Sequence, residues 1–491
     1  MKIINESKEI FGLKLHVDNM LVQRLGIHYN TYRLTTEQKE RNEFFGNINR
    51  YIPNFIHSVW NNPKSLAKIL SVADKSDVKN NLDHFITHNL YENIFSSNGN
   101  QDQLIYIITL LLKEEINKLE NDIEINLLNF LNETTCGFIL EELLQKKEVQ
   151  SFFKNIIINV IKNIEFTYSL NTIMFDPIEI SAKISKQENL IEENLEVNRR
   201  FKKKYKTFDI KYIVPLTKKE LENKCEEYKD SDIEIFLRKK ISKCEHYQKL
   251  YSGERFLQNI HSTKEPIDTL NYYKQSFVKI IDIMDTLLEN LLINSNSLPY
   301  YIKCICKVIS VFIKKKFPDI DKIEHNSYIA NFFFGKLLFL VFENPALYTL
   351  MNEHLVIGKT MDTLRIIKFI LIKFIQGSLF DELDNFVPFN TYFIEKMPQL
   401  IQFFNNICQV TLPSFIDKLI NDKLPEDYIY NYFEENPNEN IFYRQICFNI
   451  DNIYSLVINA DKCKDEIIFD KLVLTKLMPN INFLFFIKFI L

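Results

Sequence analysis

Turn-forming residues are scarce in this chain, and their scarcity constrains the fold more than any other feature. Glycine occurs 9 times and proline 14 times in 491 residues. A fold rich in β-strands needs many more of both, because hairpins and strand ends depend on the backbone conformations that these residues supply. The sequence therefore predicts long helices. Because 46% of the residues are hydrophobic, it also predicts a large buried core.

Apolar residues recur at helical spacing in seven segments, and this periodicity predicts an all-α array of amphipathic helices. Near one of them, Asn296-Ser297 followed by Pro299 predicts a helix start. Phe317-Pro318 predicts the end of the same helix, because proline cannot continue helical geometry. The seven segments are 103–119, 136–164, 269–293, 298–317, 329–342, 361–374 and 391–410.

Composition gives little support for nucleic-acid or metal binding. The chain has 60 Lys and Arg against 64 Asp and Glu, a formal net charge of −4, so no basic excess points to nucleic acid. His84 and His88 share a helical face, but no neighbouring glutamate or third ligand completes a zinc pattern. Cys304 and Cys306 are expected to be small buried residues. We therefore expect no cofactor and no metal.

The sequence predicts a cytoplasmic protein. Its eight cysteines form no Cys-x-x-Cys pair, and the first residues do not resemble a signal peptide. Apolar stretches stay short of the roughly 18 uncharged residues that span a bilayer. The apolar residues 482–491 are expected to be a final buried helix or an anomalous end of the sequence, and a membrane anchor is the less favoured alternative.

Two segments carry a family resemblance. They are Phe130-Leu-Asn-Glu-Thr-Thr-Cys-Gly-Phe-Ile-Leu-Glu-Glu-Leu143 and Phe339-Leu-Val-Phe-Glu-Asn-Pro-Ala-Leu347. They resemble the finger loop and the Phe-Leu-Arg-x-x-Asn-Pro-Ala motif of Ras-type GTPase-activating (RasGAP) domains. The closest variety is the IQGAP type, whose helical tail resembles residues 390–410 and 446–454. The resemblance implies a RasGAP-like helical array with a C-terminal helical extension.

Both motif arginines are missing. The finger position falls on Asn132 and the second motif's arginine position on Val341. No arginine occurs between Arg50 and Arg199, or between Arg255 and Arg365, so a shift of a few residues cannot restore either one. A finger arginine supplies roughly 10³ to 10⁵ in rate by placing positive charge on the transferring phosphoryl group. An asparagine amide carries no charge.

By resemblance, both motifs supply residues that bind the GTPase, and none of them is expected to be catalytic. For Asn132 to Thr135, a helix N-cap is the alternative interpretation. For Glu343 to Pro345, the alternative is a helix stop. The predicted GTPase-binding residues of the motifs are Asn132, Glu133, Thr134, Thr135, Phe339, Glu343, Asn344 and Pro345. Lys368 is added from the helix after the second motif, where many relatives carry a lysine at the position of Phe369.

The chain is predicted to contain three parts. Residues 1–75 form an N-terminal helical segment, 76–385 the RasGAP-like domain, and 386–491 the C-terminal extension. A charged segment at about 181–265 is either an insertion in this domain or a charged helical hairpin. Within it, acids gather in 187–196 and bases in 199–206, a pattern typical of a solvated segment.

Three functions remain open from the sequence. The first is an IQGAP-like regulator that binds a GTP-loaded GTPase of the Ras or Rho class without accelerating hydrolysis, in signalling or at the cytoskeleton. Such a protein would be cytoplasmic and recruited to the cortex or membrane by its GTPase, with peripheral membrane contact left open. The second is an active GTPase activator that uses a displaced arginine, Arg365 or Arg238. The third is a purely structural helical scaffold.

Overall fold

A computed structural model of the chain describes Phe55, Val59 and Ile86 and residues 62–83, 99–120, 130–168, 173–186, 218–246, 254–349, 358–381, 384–423 and 450–463. These residues contain helices and connecting turns but no strand. The all-α prediction is confirmed for this part of the chain. The pair His84 and His88, the charge runs at 187–196 and 199–206, and the apolar residues 482–491 lie outside the described residues.

The α-helices are numbered in chain order. They are α1 (Pro63–Val72), α2 (Lys75–Asp77), α3 (Gly99–Asn117), α4 (Thr135–Glu142), α5 (Lys147–Tyr168), α6 (Pro177–Ser185), α7 (Lys218–Glu227), α8 (Asp232–His246), α9 (Glu254–His261), α10 (Pro266–Asn294), α11 (Tyr300–Lys316), α12 (Lys322–Ala330), α13 (Phe339–Glu343), α14 (Pro345–Thr349), α15 (Gly358–Ile375), α16 (Phe389–Ile407), α17 (Ser414–Ile420) and α18 (Ile450–Lys462). Segments of π-helix lie at Val78–Leu82 and Asn331–Leu338, and 3₁₀ turns at Leu143–Gln145 and Ser295–Ser297.

The described residues fall into two compact units. The first draws its residues from Met1–Leu110 and Pro425–Leu491, and the second from Leu111–Leu424. The predicted domain boundaries after residues 75 and 385 stay a prediction. Helix α16, which the sequence assigned to the C-terminal extension, packs against α10 and α12 within the second unit.

In the first unit, α18 packs on α1 and on the π segment Val78–Leu82. Helix α1 begins where the Asn62 side chain accepts a hydrogen bond from the Ser65 amide at 3.0 Å, with Pro63 at the first helical position. Proline fits there because that amide has no partner within the helix. Buried apolar residues of the two helices form the core of this unit: Leu66, Ile69, Leu70, Leu456, Val457 and Ala460.

Helix α10 organises the second unit. It packs against α5, α6 and α16. Its buried residues Tyr273, Phe277, Ile280 and Met284 recur at intervals of three and four, which places them on one face. The 29 residues of α10 extend for roughly 43 Å at 1.5 Å per residue. This helix therefore offers one continuous apolar face to several neighbours.

Part of the predicted insertion is a docked helical hairpin. Helices α7 and α8 pack on each other, and α8 also packs on α12 and α16. Phe236 and Leu237 are buried, and the Lys239 ammonium contacts Asp321 at 2.5 Å and Glu324 at 2.9 Å. Residues 218–246 of this charged segment therefore form a helical hairpin.

Three predicted helices differ in detail. The segment 136–164 is not one helix, because the chain turns at Leu143–Gln145 so that α4 can pack on Asn331–Leu338 while α5 packs on α10. The predicted helix 329–342 contains that π segment. Helix α11 begins at Tyr300, with Pro299 as the residue before its first turn. The Ser297 hydroxyl donates instead to the Asn294 carbonyl at the end of α10.

Candidate functional site

The loop before α4 has an unusual backbone. Leu131 and Glu133 have positive φ angles of 62° and 50°, a left-handed conformation that costs a non-glycine residue about 1–3 kcal/mol. Leu131 is buried, whereas Asn132 and Glu133 are exposed. Such a conformation persists only where the surrounding structure imposes it. The surrounding structure therefore fixes the conformation of the predicted finger loop, in which Asn132 and Glu133 are exposed to solvent.

Thr134 and Gly137 fix the junction between this loop and α4. The Thr134 hydroxyl oxygen accepts a hydrogen bond from the Gly137 amide at 3.0 Å, so the N-cap interpretation is confirmed for Thr134. A Cβ atom at Gly137 would lie 2.1 Å from the Leu131 carbonyl oxygen. Only glycine allows this close approach of loop to helix. Sequence reasoning missed Gly137, although a glycine inside an apolar helix was a usable signal.

Aromatic residues anchor the start of the loop. The Phe130 ring meets the Tyr328 ring edge-on, with centroids 5.3 Å apart. Tyr328 in turn stacks on Phe317 at 6.3 Å. Aromatic pairs of this kind contribute about 0.5–1.5 kcal/mol beyond their burial. The loop is thereby attached to α12 and to the residue that follows α11.

A charged pair joins the other end of α4 to the segment before the second motif. The Lys336 ammonium contacts the Glu141 carboxylate at 2.7 Å. Lys336 is 8% exposed and lies in the π segment among buried phenylalanines. A buried ammonium needs a counter-charge, and Glu141 supplies it. This pair could not be predicted from sequence, because its members are 195 residues apart.

The second motif is mostly core. Val341 is fully buried, and Phe339 is only 5% exposed. The Phe339 ring packs against Phe334 and Phe342 at 6.1 Å each. The position of the missing second arginine is therefore occupied by an apolar side chain in an apolar environment.

Three of the predicted binding residues meet at the end of α13. The Lys368 ammonium contacts the Glu343 carboxylate at 2.5 Å and lies 5.6 Å from the centre of the Phe339 ring. The Lys368 and Glu343 side chains are 30% and 55% exposed. The buried Phe339 ring thus lies against Lys368, while the charged pair is partly exposed to solvent.

Asn344 and Pro345 separate α13 from α14. The Asn344 side chain accepts a hydrogen bond from the Leu347 amide at 3.1 Å, which caps α14, and Pro345 is buried at its first position. The helix-stop interpretation is therefore confirmed for this segment. Asn344 and Leu347 remain exposed to solvent.

Tyr348 directly follows the second motif and lies within electrostatic range of acids at the end of α4. Burial raises the pKa of its hydroxyl, and the carboxylates of Glu142, Glu141 and Glu343 raise it further. The pKa of this one hydroxyl is therefore affected by acids from the end of α4 and by an acid of the second motif. The eight residues of α4 rise by about 12 Å, and Asn132 to Thr135 lie at its opposite end. The order of the two motifs in the RasGAP resemblance predicts that Asn132 and Glu343 open toward one shared groove, and this stays a prediction.

The two candidate arginines have different surroundings. Arg365 is on α15, three residues before Lys368, and contacts Asp362 at 3.0 Å with its side chain 73% exposed. Residues three apart are neighbours on a helix surface. Arg238 belongs to the hairpin and contacts Glu234 at 2.6 Å. Of the two, Arg365 lies beside the second motif.

The described residues offer neither a metal site nor a membrane-spanning helix. They contain no group of three or more His, Cys, Asp and Glu side chains that could hold a metal ion. In the same part of the chain, no helix combines the length and apolar character that a membrane crossing requires. Cys304 and Cys306 are fully buried, as the sequence predicted.

Comparison with known proteins identifies a family. The family model described as RasGAP, GTPase-activator protein for Ras-like GTPase, matches residues 107–375, more than half of the chain. This range contains both motifs and the helices from α4 to α15. A search of curated proteins finds no match.

Proposed function

Because the chain belongs to the RasGAP family, we propose that it is a small-GTPase-binding regulator that has lost the arginine finger and does not accelerate GTP hydrolysis. The observation that carries this proposal is the pair of substitutions in the two motifs. Asn132 is exposed on the loop before α4, and Val341 is a buried side chain that carries no charge. Neither residue supplies the cation that a charge-spread phosphoryl transition state requires.

The proposed partner is a GTPase of the Ras or Rho class in its GTP-bound state. The IQGAP-type resemblance of the motifs and of residues 390–410 and 446–454 supports this choice. Such a protein holds or reads the GTP state, in signalling or at the cytoskeleton. We propose a cytoplasmic location, with recruitment to the cortex or membrane through the GTPase.

The binding surface is proposed to consist of the loop Asn132–Thr135 and the exposed groups of the second motif. Glu343 and Lys368 already neutralise each other at 2.5 Å. A partner that engages either one must compensate the other, because separating a charge pair leaves both charges to be satisfied. This requirement favours partners that offer both an acid and a base.

Arg365 favours a second function, in which the chain is an active GTPase activator that uses a displaced arginine. Its guanidinium is exposed and lies one helical turn from Lys368, so it is the better placed of the two displaced-arginine candidates. An activator that uses this group would lose its acceleration in R365Q. R238Q is the matched control, since Arg238 is also an exposed arginine paired with an acid on its own helix.

Binding tests separate the proposed regulator from a purely structural scaffold. Wild-type protein should capture GTP-loaded Ras-class or Rho-class GTPase in preference to the GDP-loaded form. E343K should weaken the Kd by about tenfold, equivalent to about 1.4 kcal/mol. E227K is the matched control, because Glu227 is 57% exposed and contacts Lys224 at 2.9 Å. If the protein captures neither the GTP-loaded nor the GDP-loaded form of any GTPase of either class, the result would favour the structural scaffold.

A further inference from the structure

We infer that the Lys336–Glu141 ion pair is a positioning pair that holds α4 and the loop before it in the orientation used for partner binding. This inference rests on the proposed function, since it concerns the same surface. The two residues are not expected to touch the partner. They act through the loop residues Leu131 to Thr134.

The geometry is a two-point attachment. The continuous segment Lys322–Glu343 comprises α12, the π segment and α13, and α4 packs against its π segment. Phe130 contacts Tyr328 at one end, and Glu141 contacts Lys336 at the other. The eight residues of α4 rise by about 12 Å. The helix is therefore attached near both ends to one neighbouring segment.

Burial makes the second attachment specific. The Lys336 side chain is 10% exposed and the Glu141 side chain 30% exposed, so the ammonium depends on this carboxylate more than the carboxylate depends on it. The Lys336 charge also acts on the buried Cys136 thiol, on the turn of α4 nearest the loop; burial and Glu115 raise the pKa of that thiol, and Lys336 opposes them. The ammonium thus lies alongside α4 and contacts it through Glu141.

The loop needs such support because of its backbone. Leu131 and Glu133 have left-handed φ angles, which persist only under external constraint. The Thr134 cap and the Gly137 contact fix the loop to α4, so the loop moves with the helix. Without the ion pair, α4 keeps its aromatic attachment but can pivot about it, and the presentation of Asn132 changes.

The inference is tested with single and paired substitutions. K336M and E141Q should each weaken the Kd for the GTP-loaded GTPase by about tenfold and speed amide hydrogen exchange at residues 131–137. K336R should retain most of the binding. The charge-swapped double variant K336E/E141K should bind more tightly than either single reversal. K239M is the control, since it removes a lysine that joins α8 to α12 and should leave exchange at 131–137 unchanged.

Two results would overturn the inference. One is wild-type affinity together with wild-type exchange at 131–137 in K336M. The other is a swapped variant that folds but binds no better than the single reversals. If wild-type protein binds no GTPase at all, the proposed function fails, and hydrogen exchange in K336M alone decides whether the pair positions the loop.

Discussion

Substituting Gly137 with alanine is the sharpest structural test of the loop. The added Cβ would lie 2.1 Å from the Leu131 carbonyl oxygen and 3.2 Å from the Thr134 hydroxyl. Real contacts of this kind do not fall below 3.0 Å, so the loop and α4 must separate by about 1 Å, a distance that overpacked sites accommodate only with strain. The obstacle is backbone, which cannot rotate away as a side chain can.

The size of the effect follows from three contributions. Overpacking costs about 1–3 kcal/mol, and loss of the Thr134 cap about 1 kcal/mol. Alanine recovers about 1 kcal/mol through its better helix propensity. We expect G137A to lower the free energy of unfolding by about 1–3 kcal/mol, the balance of these terms.

Urea unfolding and hydrogen exchange at residues 131–137 measure this effect. The matched control is G335A, because a Cβ at Gly335 meets nothing within 4 Å. It should be neutral or stabilising by up to about 1 kcal/mol. If G137A unfolds within about 0.5 kcal/mol of wild type, as an ordinary surface substitution does, and its loop amides exchange at the wild-type rate, the described contact is wrong.

Substitutions at Thr134, Lys368 and His325 test other parts of the structure. T134A should cost about 1 kcal/mol by removing the N-cap acceptor, whereas T134S should retain it; urea unfolding compares the two. K368M should change stability by less than about 1 kcal/mol, because its pair with Glu343 is half exposed, while still weakening GTPase binding in a titration. Burial lowers the pKa of His325, so the unfolded chain binds this proton more readily. Stability should therefore fall as pH drops below about 6.5, the ordinary histidine value, and H325Q should flatten that part of the pH profile.

Sequence periodicity predicted most of the long helices because an apolar stripe is a local signal. Helix α10 shows this well, since Tyr273, Phe277, Ile280 and Met284 report its buried face directly. The turn at Leu143–Gln145 left no such signal, because both flanking helices are apolar and only their different packing partners force the break. The π segment Asn331–Leu338 was likewise invisible in a run of helix-compatible residues.

The candidate site was predictable in part. The two motifs predicted Asn132 and Glu343, and the family resemblance of the helix after the second motif predicted Lys368. The structure places Glu343 and Lys368 in direct contact. The left-handed residues Leu131 and Glu133 were not predictable, since neither residue type favours that conformation. The Lys336–Glu141 pair depends on tertiary packing between distant segments, which no local pattern encodes.

The central claim is that this chain binds a small GTPase without accelerating its reaction. Single-turnover GTP hydrolysis, measured for Ras-class and Rho-class GTPases at a saturating concentration of the chain, tests it most directly. We predict a rate within about threefold of the intrinsic value, and partial acceleration in N132R, because the finger position then regains its cation. A wild-type acceleration near 10³-fold, roughly the low end of what an arginine finger delivers, would contradict the claim.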